Sequence, residues 1–288
     1  MSGPKLDTFT YNYLIDKLVK PTGYDELSNL RSVTVSRYDL NSGEYRRWLD
    51  KYIPRWEKTY GTIHHKKPLE FFISFKLLEL TGDDIFLDAA GGGGSYIEKT
   101  NCIKLILQDM VIADDKKRHL SKLLGSRIVF IEGNAGQMAL PDNSVDKISC
   151  HHSFEHFQEN ADSQFISEVQ RLLRLDGKCC IIPIFLADKY VEVTREITFD
   201  RHFDPQSHYL IDPTASIPGW DKDSYARIYD PEAFTRRVLD LIDRQRFDVS
   251  LLELSLDGNI IPDLTIPCHE PVTAINRPYR ALLIRRVK

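Results

Sequence analysis

The chain has 288 residues, 42% of them hydrophobic and 28% charged, which suits one large globular domain or one domain with an attached cap. Its formal net charge of -4 argues against nucleic acid as the main partner, because phosphate binding is driven by clustered Lys and Arg. The longest apolar run, residues 179–187, is too short to span a bilayer, and the N-terminus lacks the apolar core of a signal peptide, so no membrane span is expected.

Cysteine usage favours a cytoplasmic protein. The chain has five cysteines, an odd number, and no two of them form a C-x-x-C pair. Most of them lie in or beside strand-like runs, where buried free thiols are the expected state in a reducing compartment. The five are Cys102, Cys150, Cys179, Cys180 and Cys268.

Residues 1–80 are expected to form an N-terminal helical cap. Residues 10–20 and 44–60 carry apolar side chains at three- and four-residue spacing, which is typical of amphipathic helices. A third run of this kind covers residues 67–80, with Pro68 in the first turn, where proline is tolerated. We expect the aromatic stripe of this third helix to pack against the domain that follows.

The second predicted domain, residues 81–288, shows short apolar runs that alternate with helix-like segments. Seven runs are predicted to be strands, at residues 85–88, 103–109, 127–132, 145–150, 178–185, 246–254 and 280–286. Strands joined by helices form parallel sheets covered on both faces. The pattern therefore predicts an α/β fold with a seven-stranded, mostly parallel sheet, whose last two strands form an antiparallel pair at one edge.

Four consecutive glycines, residues 91–94, follow the first predicted strand, which ends at Asp88. The dinucleotide fingerprint G-x-G-x-x-G fails, because a bulky residue stands where its third glycine belongs. The frame D-x-G-x-G-x-G fits better, with Ala90, Gly92 and Gly94 at the three glycine positions. This segment resembles the first motif of the class I S-adenosylmethionine-dependent methyltransferases, of the methyltransferase type 11 kind.

The resemblance implies a Rossmann-like fold and S-adenosylmethionine as cofactor. Its amino-acid part would lie against the bare loop backbone, with Asp88 as a counter-charge to the ammonium and the sulfonium. Gly92 and Gly94 would then be intolerant of side chains, whereas Gly91 and Gly93 are expected to tolerate them.

Further segments continue the resemblance in order. Asp109 ends the second predicted strand, where the family places an acid that binds the ribose hydroxyls. Met110 follows, in a position to lean on the adenine ring. After the third strand, Asn134 replaces an acid that accepts a hydrogen bond from the adenine amine, and Ala135 would offer its backbone N–H.

The segments after the fourth and fifth strands complete the resemblance. Residues 150–157 resemble S-x-x-L-E-H-F, and residues 168–182 resemble E-x-x-R-V-L-K-P-G-G. Each piece is loose, but the ordered set from about residue 66 to residue 185 is specific. His151, at the end of the fourth strand, is counted with the cofactor-binding residues.

The histidines in this stretch allow two interpretations. His152, Glu155 and His156 match the H-x-x-E-H signature of zinc hydrolases, but that motif needs one helix, and His152 stands at a strand end. No metal is therefore predicted. In a methyltransferase the same loop faces the methyl group, so His156, and after it His152, are the candidates for a general base. Capping and bracing of the next helix by Glu155 and His156 is the structural alternative.

Two further regions are candidates for substrate contact. Lys67, at the start of the third helix, is able to pair with a carboxylate, although a solvated helix start is the simpler explanation. Residues 188–229 lack periodicity, and an irregular insertion of this length is usually functional or mobile, which suggests a lid. The same insertion also suits a homodimer contact. Its candidates for substrate binding are Arg201, His202, His208 and Tyr209.

These features predict a methyltransferase of small molecules. Methyl transfer to a hydroxyl of a sugar-like or other polar metabolite is the first expectation, and C- or N-methylation of a quinone-like, phenolic or amine metabolite is the alternative. A protein that keeps the fold as a non-catalytic binder or scaffold is the alternative of another class.

Overall fold

The computed structural model describes residues 20–55, 57–58, 66–92, 94, 96–194, 202–211, 225–261 and 278–288. The strands in these ranges are β1 (Thr34–Leu40), β2 (Ile85–Ala89), β3 (Lys104–Asp109), β4 (Ile128–Glu132), β5 (Val145–His151), β6 (Leu173–Ile182), β7 (Val191–Thr194), β8 (His208–Ile211), β9 (Tyr225–Ile228), β10 (Phe247–Leu256), β11 (Asn259–Ile260) and β12 (Arg280–Arg286). The α-helices are α1 (Tyr24–Leu27), α2 (Ser42–Tyr52), α3 (Lys66–Leu78), α4 (Asp114–Leu124), α5 (Ala161–Leu172) and α6 (Pro231–Arg237). Short 3₁₀ helices cover Ile97–Lys99, Gly125–Arg127, Phe154–His156 and Leu239–Leu241.

The main sheet has the strand order β1-β10-β12-β6-β5-β2-β3-β4, and β11 pairs with β10. Pairing is parallel from β6 through β5, β2 and β3 to β4, whereas β12 runs antiparallel to both of its neighbours. The predicted α/β fold with a Rossmann-like, mostly parallel sheet is therefore confirmed. The count of seven is not, because β1 and β11 add two strands to the seven that were predicted.

Helices cover both faces of the main sheet. Along β2 the side chains alternate between two hydrophobic clusters, as the two-residue repeat of a strand requires: Phe86 joins one cluster, and Leu87 and Ala89 join the other. Helices α2, α3 and α4 contribute to the first cluster, and α5 and α6 contribute to the second. In α3 the ring of Phe71 stacks on that of Tyr96 at 4.9 Å, so its aromatic stripe packs against the segment that follows residue 80, as expected.

Residues 1–80 had been expected to be helical, but they also contain a strand. Strand β1 lies at the edge of the main sheet and pairs in parallel with β10, in the register Thr34 to Ser250. Only the last residue of β1, Leu40, is buried, so the strand lacks the continuous apolar run that marks the buried strands. The boundary at residue 80 between a cap and a second domain stays a prediction.

The insertion is more regular than its sequence suggested. Strands β7, β8 and β9 form a second sheet in the order β8-β7-β9, with β8 parallel and β9 antiparallel to β7. Arg227 of β9 lies 2.6 Å from Asp162 of α5 and 2.9 Å from Glu192 of β7. The pair with Asp162 joins the small sheet to the main domain, and the pair with Glu192 lies within the small sheet.

Two further expectations concern the cysteines and membrane-spanning helices. Cys102, Cys150, Cys179 and Cys180 are free and buried, as predicted, whereas Cys268 lies outside the described residues. Within the ranges given above, no helix is long and apolar enough to cross a membrane.

Candidate active site

A cavity of about 650 Å³ opens beyond the carboxyl ends of β2, β3 and β5. Ligands in open parallel sheets bind at this edge, where strand order reverses on either side of the first βα unit. The cavity is lined by Lys67, Phe71, Asp88, Ala90, Gly91, Gly92, Tyr96, Gln108, Asp109, Met110, Asn134, Ala135, His151, His152, Ser153, His156, Phe157, Gln158 and Ala161.

The glycine loop forms part of the cavity wall with its backbone. Ala90, Gly92 and Gly94 have φ angles of 49°, 56° and 68°, in the left-handed region that favours glycine. A methyl group built on Gly92 meets nothing within 4 Å, because this position faces open space. Gly94 does not line the cavity, and a methyl group there would lie 2.7 Å from Leu120.

The expected tolerance of Gly91 is wrong. A methyl group built on Gly91 would lie 2.6 Å from Oδ2 of Asp88 and 2.6 Å from Cδ1 of Leu107. The residue is therefore packed against the strands it follows, and the spacing of the motif carries no sign of this contact. Gly93 lies outside the described residues.

Asp109 is tied to the loop through both of its carboxylate oxygens. Oδ2 accepts a hydrogen bond of 2.7 Å from the N–H of Gly92, and Oδ1 accepts one of 2.7 Å from the N–H of Met110. Burial raises the pKa of Asp109, and the two backbone N–H groups oppose that shift. Each oxygen keeps a further lone pair, so the carboxylate remains able to accept bonds from a ribose diol.

The residues predicted near adenine come to the same wall. Met110 is exposed at the mouth of the cavity, and Ala135 is buried in its lining. Oδ1 of Asn134 accepts a 2.8 Å hydrogen bond from the N–H of Gly136, which fixes the side chain and leaves that oxygen a second lone pair.

Asp88 and His151 form a buried polar pair at the cavity wall. Oδ1 of Asp88 accepts a 2.7 Å hydrogen bond from Ser149 and lies 3.4 Å from Nδ1 of His151. The His151 ring makes edge-to-face contacts with the rings of Phe71 and Tyr96, with centroid distances of 5.4 Å and 4.7 Å. In the described part of the chain Nε2 of His151 is buried and has no hydrogen-bond partner.

His152 is paired with a carboxylate that the sequence did not single out. Its Nδ1 lies 2.5 Å from Oε1 of Glu70, a fully buried residue of α3. Although its burial acts to lower it, the pKa of His152 is raised by the charge of Glu70. A protonated imidazole cannot accept a proton, so this pairing argues against His152 as the general base.

The tautomer of His156 is set by a backbone carbonyl. Its Nδ1 lies 2.5 Å from the backbone carbonyl oxygen of Tyr225, which can only accept a hydrogen bond. Nδ1 therefore carries the proton, and Nε2 is the basic nitrogen of the neutral ring. Glu155 lies on the other side, with Oε1 3.6 Å from Nε2.

The residues predicted to contact substrate are only partly brought together. Lys67 lines the cavity, whereas His202, His208 and Tyr209 are absent from its lining. Arg201 lies outside the described residues.

Several residues of the cavity were missed from the sequence. Gln108 is the most informative, because its Oε1 accepts from the N–H of Ala90 at 3.0 Å and its Nε2 donates to the carbonyl of Gly133. Ser153 donates to the carbonyl of Ala90 at 2.9 Å. Both brace the glycine loop, and a rule that any polar residue in the last two positions of a central strand faces the site would have found Gln108.

The zinc interpretation of H-x-x-E-H finds no third ligand here. His152 and His156 each have Nδ1 directed to another group, Glu70 and Tyr225 respectively. In the residues that the structure describes, no group of three His, Cys, Asp or Glu side chains is placed to share a metal ion.

Comparison with known proteins matches this region to one family. Residues 87–181, from β2 to β6, match the family described as "Methyltransferase domain". Over 147 residues the chain is 25% identical to the ubiquinone/menaquinone biosynthesis C-methyltransferase UbiE of Hahella chejuensis, covering 48% of this chain and 55% of that protein. The chain thus spans about half the length of this curated relative.

Two solved structures resemble the chain more distantly. The 1,6-didemethyltoxoflavin-N1-methyltransferase of Burkholderia thailandensis, solved with 1,6-didemethyltoxoflavin and S-adenosylhomocysteine, has a TM-score of 0.45 and 14% identity, covering 100% of this chain and 94% of that one. A SAM-dependent methyltransferase of Aquifex aeolicus has a TM-score of 0.41 and 16% identity, covering 80% of this chain and 98% of that one.

Proposed function

We propose that this chain transfers a methyl group from S-adenosylmethionine to a small-molecule acceptor, in line with the match of residues 87–181 to the family described as "Methyltransferase domain". One observation carries the proposal. All the residues that the motifs had assigned to the cofactor, except Gly94, border one cavity, and they come from four separate segments. They are Asp88, Ala90, Gly92, Asp109, Met110, Asn134, Ala135 and His151.

The residues fit the cofactor in charge and shape. Asp109 would accept from the ribose hydroxyls, and Met110, Asn134 and Ala135 would surround the adenine. The open backbone face at Gly92 leaves room for the amino-acid part, near the buried Asp88. When bound, S-adenosylmethionine supplies an electrophilic methyl carbon on a positively charged sulfur.

We assign acceptor activation to His156. A hydroxyl must lose its proton as it is methylated, and a histidine with its proton fixed on Nδ1 presents Nε2 to take it. His156, Phe157 and Gln158 line the cavity together, which supports a position for the acceptor beside the loop after β5. O-methylation of a polar metabolite is therefore the activity that we propose first.

C-methylation of a phenolic or quinone-like acceptor is the second candidate. The name of the Hahella relative favours it, and the apolar rings of Phe71 and Phe157 in the cavity lining suit an aromatic acceptor. Ionisation of a phenol activates its ring carbons as well as its oxygen, so the same base would serve.

The small sheet is proposed to cover the acceptor. Tyr225 of β9 contacts His156 directly, so the insertion lies against the residue to which we assign the chemistry. This lid, the N-terminal helical cap and a homodimer are three separate parts of the proposal. Size-exclusion chromatography with light scattering tests whether the protein is a homodimer.

Calorimetry with S-adenosylmethionine tests the cofactor assignment first, because a protein of this fold that fails to bind it is a non-catalytic scaffold. The protein is then incubated with ¹³C-methyl-labelled cofactor and sets of sugar-like, phenolic and amine acceptors. The ¹³C shift of the product separates oxygen-, nitrogen- and carbon-bound methyl groups. A product labelled on oxygen supports the first candidate, one labelled on carbon supports the second, and cofactor binding without turnover on any set contradicts both.

A further inference from the structure

A buried carboxylate lies behind the cavity wall, between two positively charged side chains that form part of that wall. Glu70 of α3 is wholly inaccessible and lies 2.5 Å from Nδ1 of His152 and 3.4 Å from Nζ of Lys67. The hydroxyl of Tyr279 donates a hydrogen bond to the same carboxylate. Lys67 and His152 line the cavity, whereas Glu70 does not.

Glu70 favours the charged form of His152. Although burial acts to raise it, the pKa of Glu70 is lowered to about 2 by the positive charges of His152 and Lys67. The carboxylate is therefore ionised across the physiological range. The only other carboxylate close to His152 in the described chain, Glu155, is also buried and also absent from the cavity lining. Both counter-charges thus lie out of reach of a ligand.

The side chains of Lys67 and His152 reach the cavity, whereas their carboxylate partner Glu70 lies behind the wall. Lys67 has 43% of its side chain exposed and His152 has 15%, although Nδ1 of His152 is itself buried against Glu70. The two carboxylates that do line the cavity, Asp88 and Asp109, lie on the part of the wall that we assign to the cofactor. A molecule in the rest of the cavity meets a wall whose fixed charges are positive.

A purely structural role does not account for this arrangement. Apolar side chains of similar size usually stabilise a core as well as a buried ion pair does. Lys67 and His152 reach the cavity, whereas their carboxylate partner Glu70 does not, and an anion site requires this arrangement. The buried carboxylate holds the His152 ring and leaves the other edge of the ring to the ligand.

We propose that Lys67 and His152 form a subsite for a carboxylate group on the methyl acceptor. This inference rests on the proposed function, because the ligand is an acceptor only if the protein is a methyltransferase. It restricts the proposed acceptors to polar or phenolic metabolites that also carry a negative charge. Glu70 is a positioning residue here, since it acts through His152.

Benzoate and its neutral isostere benzamide are the probes, titrated by calorimetry at pH 7 into the protein with and without saturating S-adenosylhomocysteine. Benzoate should bind at least tenfold more tightly than benzamide. Lys67→Met should remove most of that preference, whereas Lys76→Met should leave it unchanged, because Lys76 is on the same helix but pairs with Glu44 instead. Equal affinities for the two probes, no benzoate binding, or a preference that survives Lys67→Met would overturn the proposal.

A pH series separates positioning from bulk charge. Benzoate affinity should fall as pH rises through the raised pKa of His152, and in Glu70→Gln that fall should move to lower pH. An identical pH profile in the two proteins would mean that Glu70 does not act through His152. Binding of S-adenosylmethionine, measured separately, reports on the proposed function alone, so the two failures are distinguishable.

Discussion

Nδ1 of His156 lies 2.5 Å from the carbonyl oxygen of Tyr225, the first residue of β9, so the candidate base is held by the inserted sheet. His156 itself belongs to the short 3₁₀ helix that follows β5. The residue to which we assign proton removal is thus oriented by a segment far away in sequence. Catalysis and the placement of the insertion should therefore change together.

His156→Ala should lower the turnover number by about 10²-fold or more, the contribution typical of a general base. The dissociation constant for S-adenosylmethionine should change little, because the assigned cofactor contacts lie elsewhere in the cavity. Steady-state kinetics and calorimetry measure the two quantities. His119→Ala is the control, since His119 is an exposed histidine of α4. Unchanged turnover in His156→Ala would rule out the role of base.

Asp109→Ala should weaken binding of S-adenosylmethionine by about 1–3 kcal/mol, because buried hydroxyl groups of the ribose would lose their acceptor. The variant also removes the acceptor of the Gly92 N–H, so its melting temperature has to be measured alongside. Asp115→Ala, at an exposed position of α4, is the matched control. An affinity equal to that of the wild type would refute the ribose assignment.

Gly91→Ala and Gly92→Ala should fail in different ways. At Gly91 the new methyl group meets Asp88 and Leu107, so we expect a loss of about 1–3 kcal/mol in the free energy of unfolding. At Gly92 the methyl group enters open space, and only the positive φ opposes it, at about 1 kcal/mol. Gly92→Ala should instead weaken cofactor binding, because its methyl group lies in the cavity. Urea denaturation and calorimetry distinguish the two, and the reverse result would contradict the loop geometry.

The strands that the sequence predicts correctly are seven of the main sheet, including the edge strand β4. Parallel strands covered on both faces are continuous apolar runs, as in residues 103–109, and their polar ends mark the site, as Asp88 and Asp109 do. Strand β1 escapes this rule because only its last residue, Leu40, is buried and its sequence forms no apolar run. Strands β7 and β9 escape it because each is four residues long and is defined by pairing Val191 with Ile228, a contact between segments far apart in sequence.

Glu70 shows why part of the site was not predictable. In sequence it stands three residues after Lys67 in an amphipathic helix, which is the pattern of a solvated helical ion pair. Only the packing of α3 against β5 and β6 buries it and brings His152 to its carboxylate. Gly91 is a similar case, because its contact with Leu107 depends on how the loop returns to the sheet.

The pair of Glu70 and His152 should give the stability of the protein a defined pH dependence. The lowered pKa of Glu70 contributes stability above the unfolded value of about 4.3, and this is lost as pH falls toward about 2. The raised pKa of His152 contributes stability below the unfolded value of about 6.5, and this is lost as pH rises through the folded value. Glu70→Gln should therefore be most destabilising, by about 1–3 kcal/mol, between pH 4.5 and 6.5.

Chemical denaturation of the wild type and Glu70→Gln across pH 3 to 9 measures this window. Glu44→Gln is the control, because Glu44 makes an exposed salt bridge with Lys76. A stability difference between wild type and Glu70→Gln that stays constant over the whole range would show that the carboxylate acts without titration of His152.

Arg227→Met should destabilise the protein and slow catalysis at the same time. Arg227 is buried between Asp162 and Glu192, and Asp162 also pairs with Arg237. Removal of Arg227 therefore leaves Glu192 without its buried cation, at a cost on the order of 3–5 kcal/mol. Because Tyr225 lies two residues away on the same strand and holds His156, a displaced β9 should also lower the turnover number.

The control for this variant is Arg236→Met, which removes a guanidinium that is 39% exposed and pairs with Asp204. It should cost about 1 kcal/mol or less, as partly exposed ion pairs usually do. Denaturation and kinetics are measured on both variants at a temperature where each is folded. If folded Arg227→Met turns over substrate at the wild-type rate, the small sheet does not position His156, and the carbonyl of Tyr225 only shields its ring.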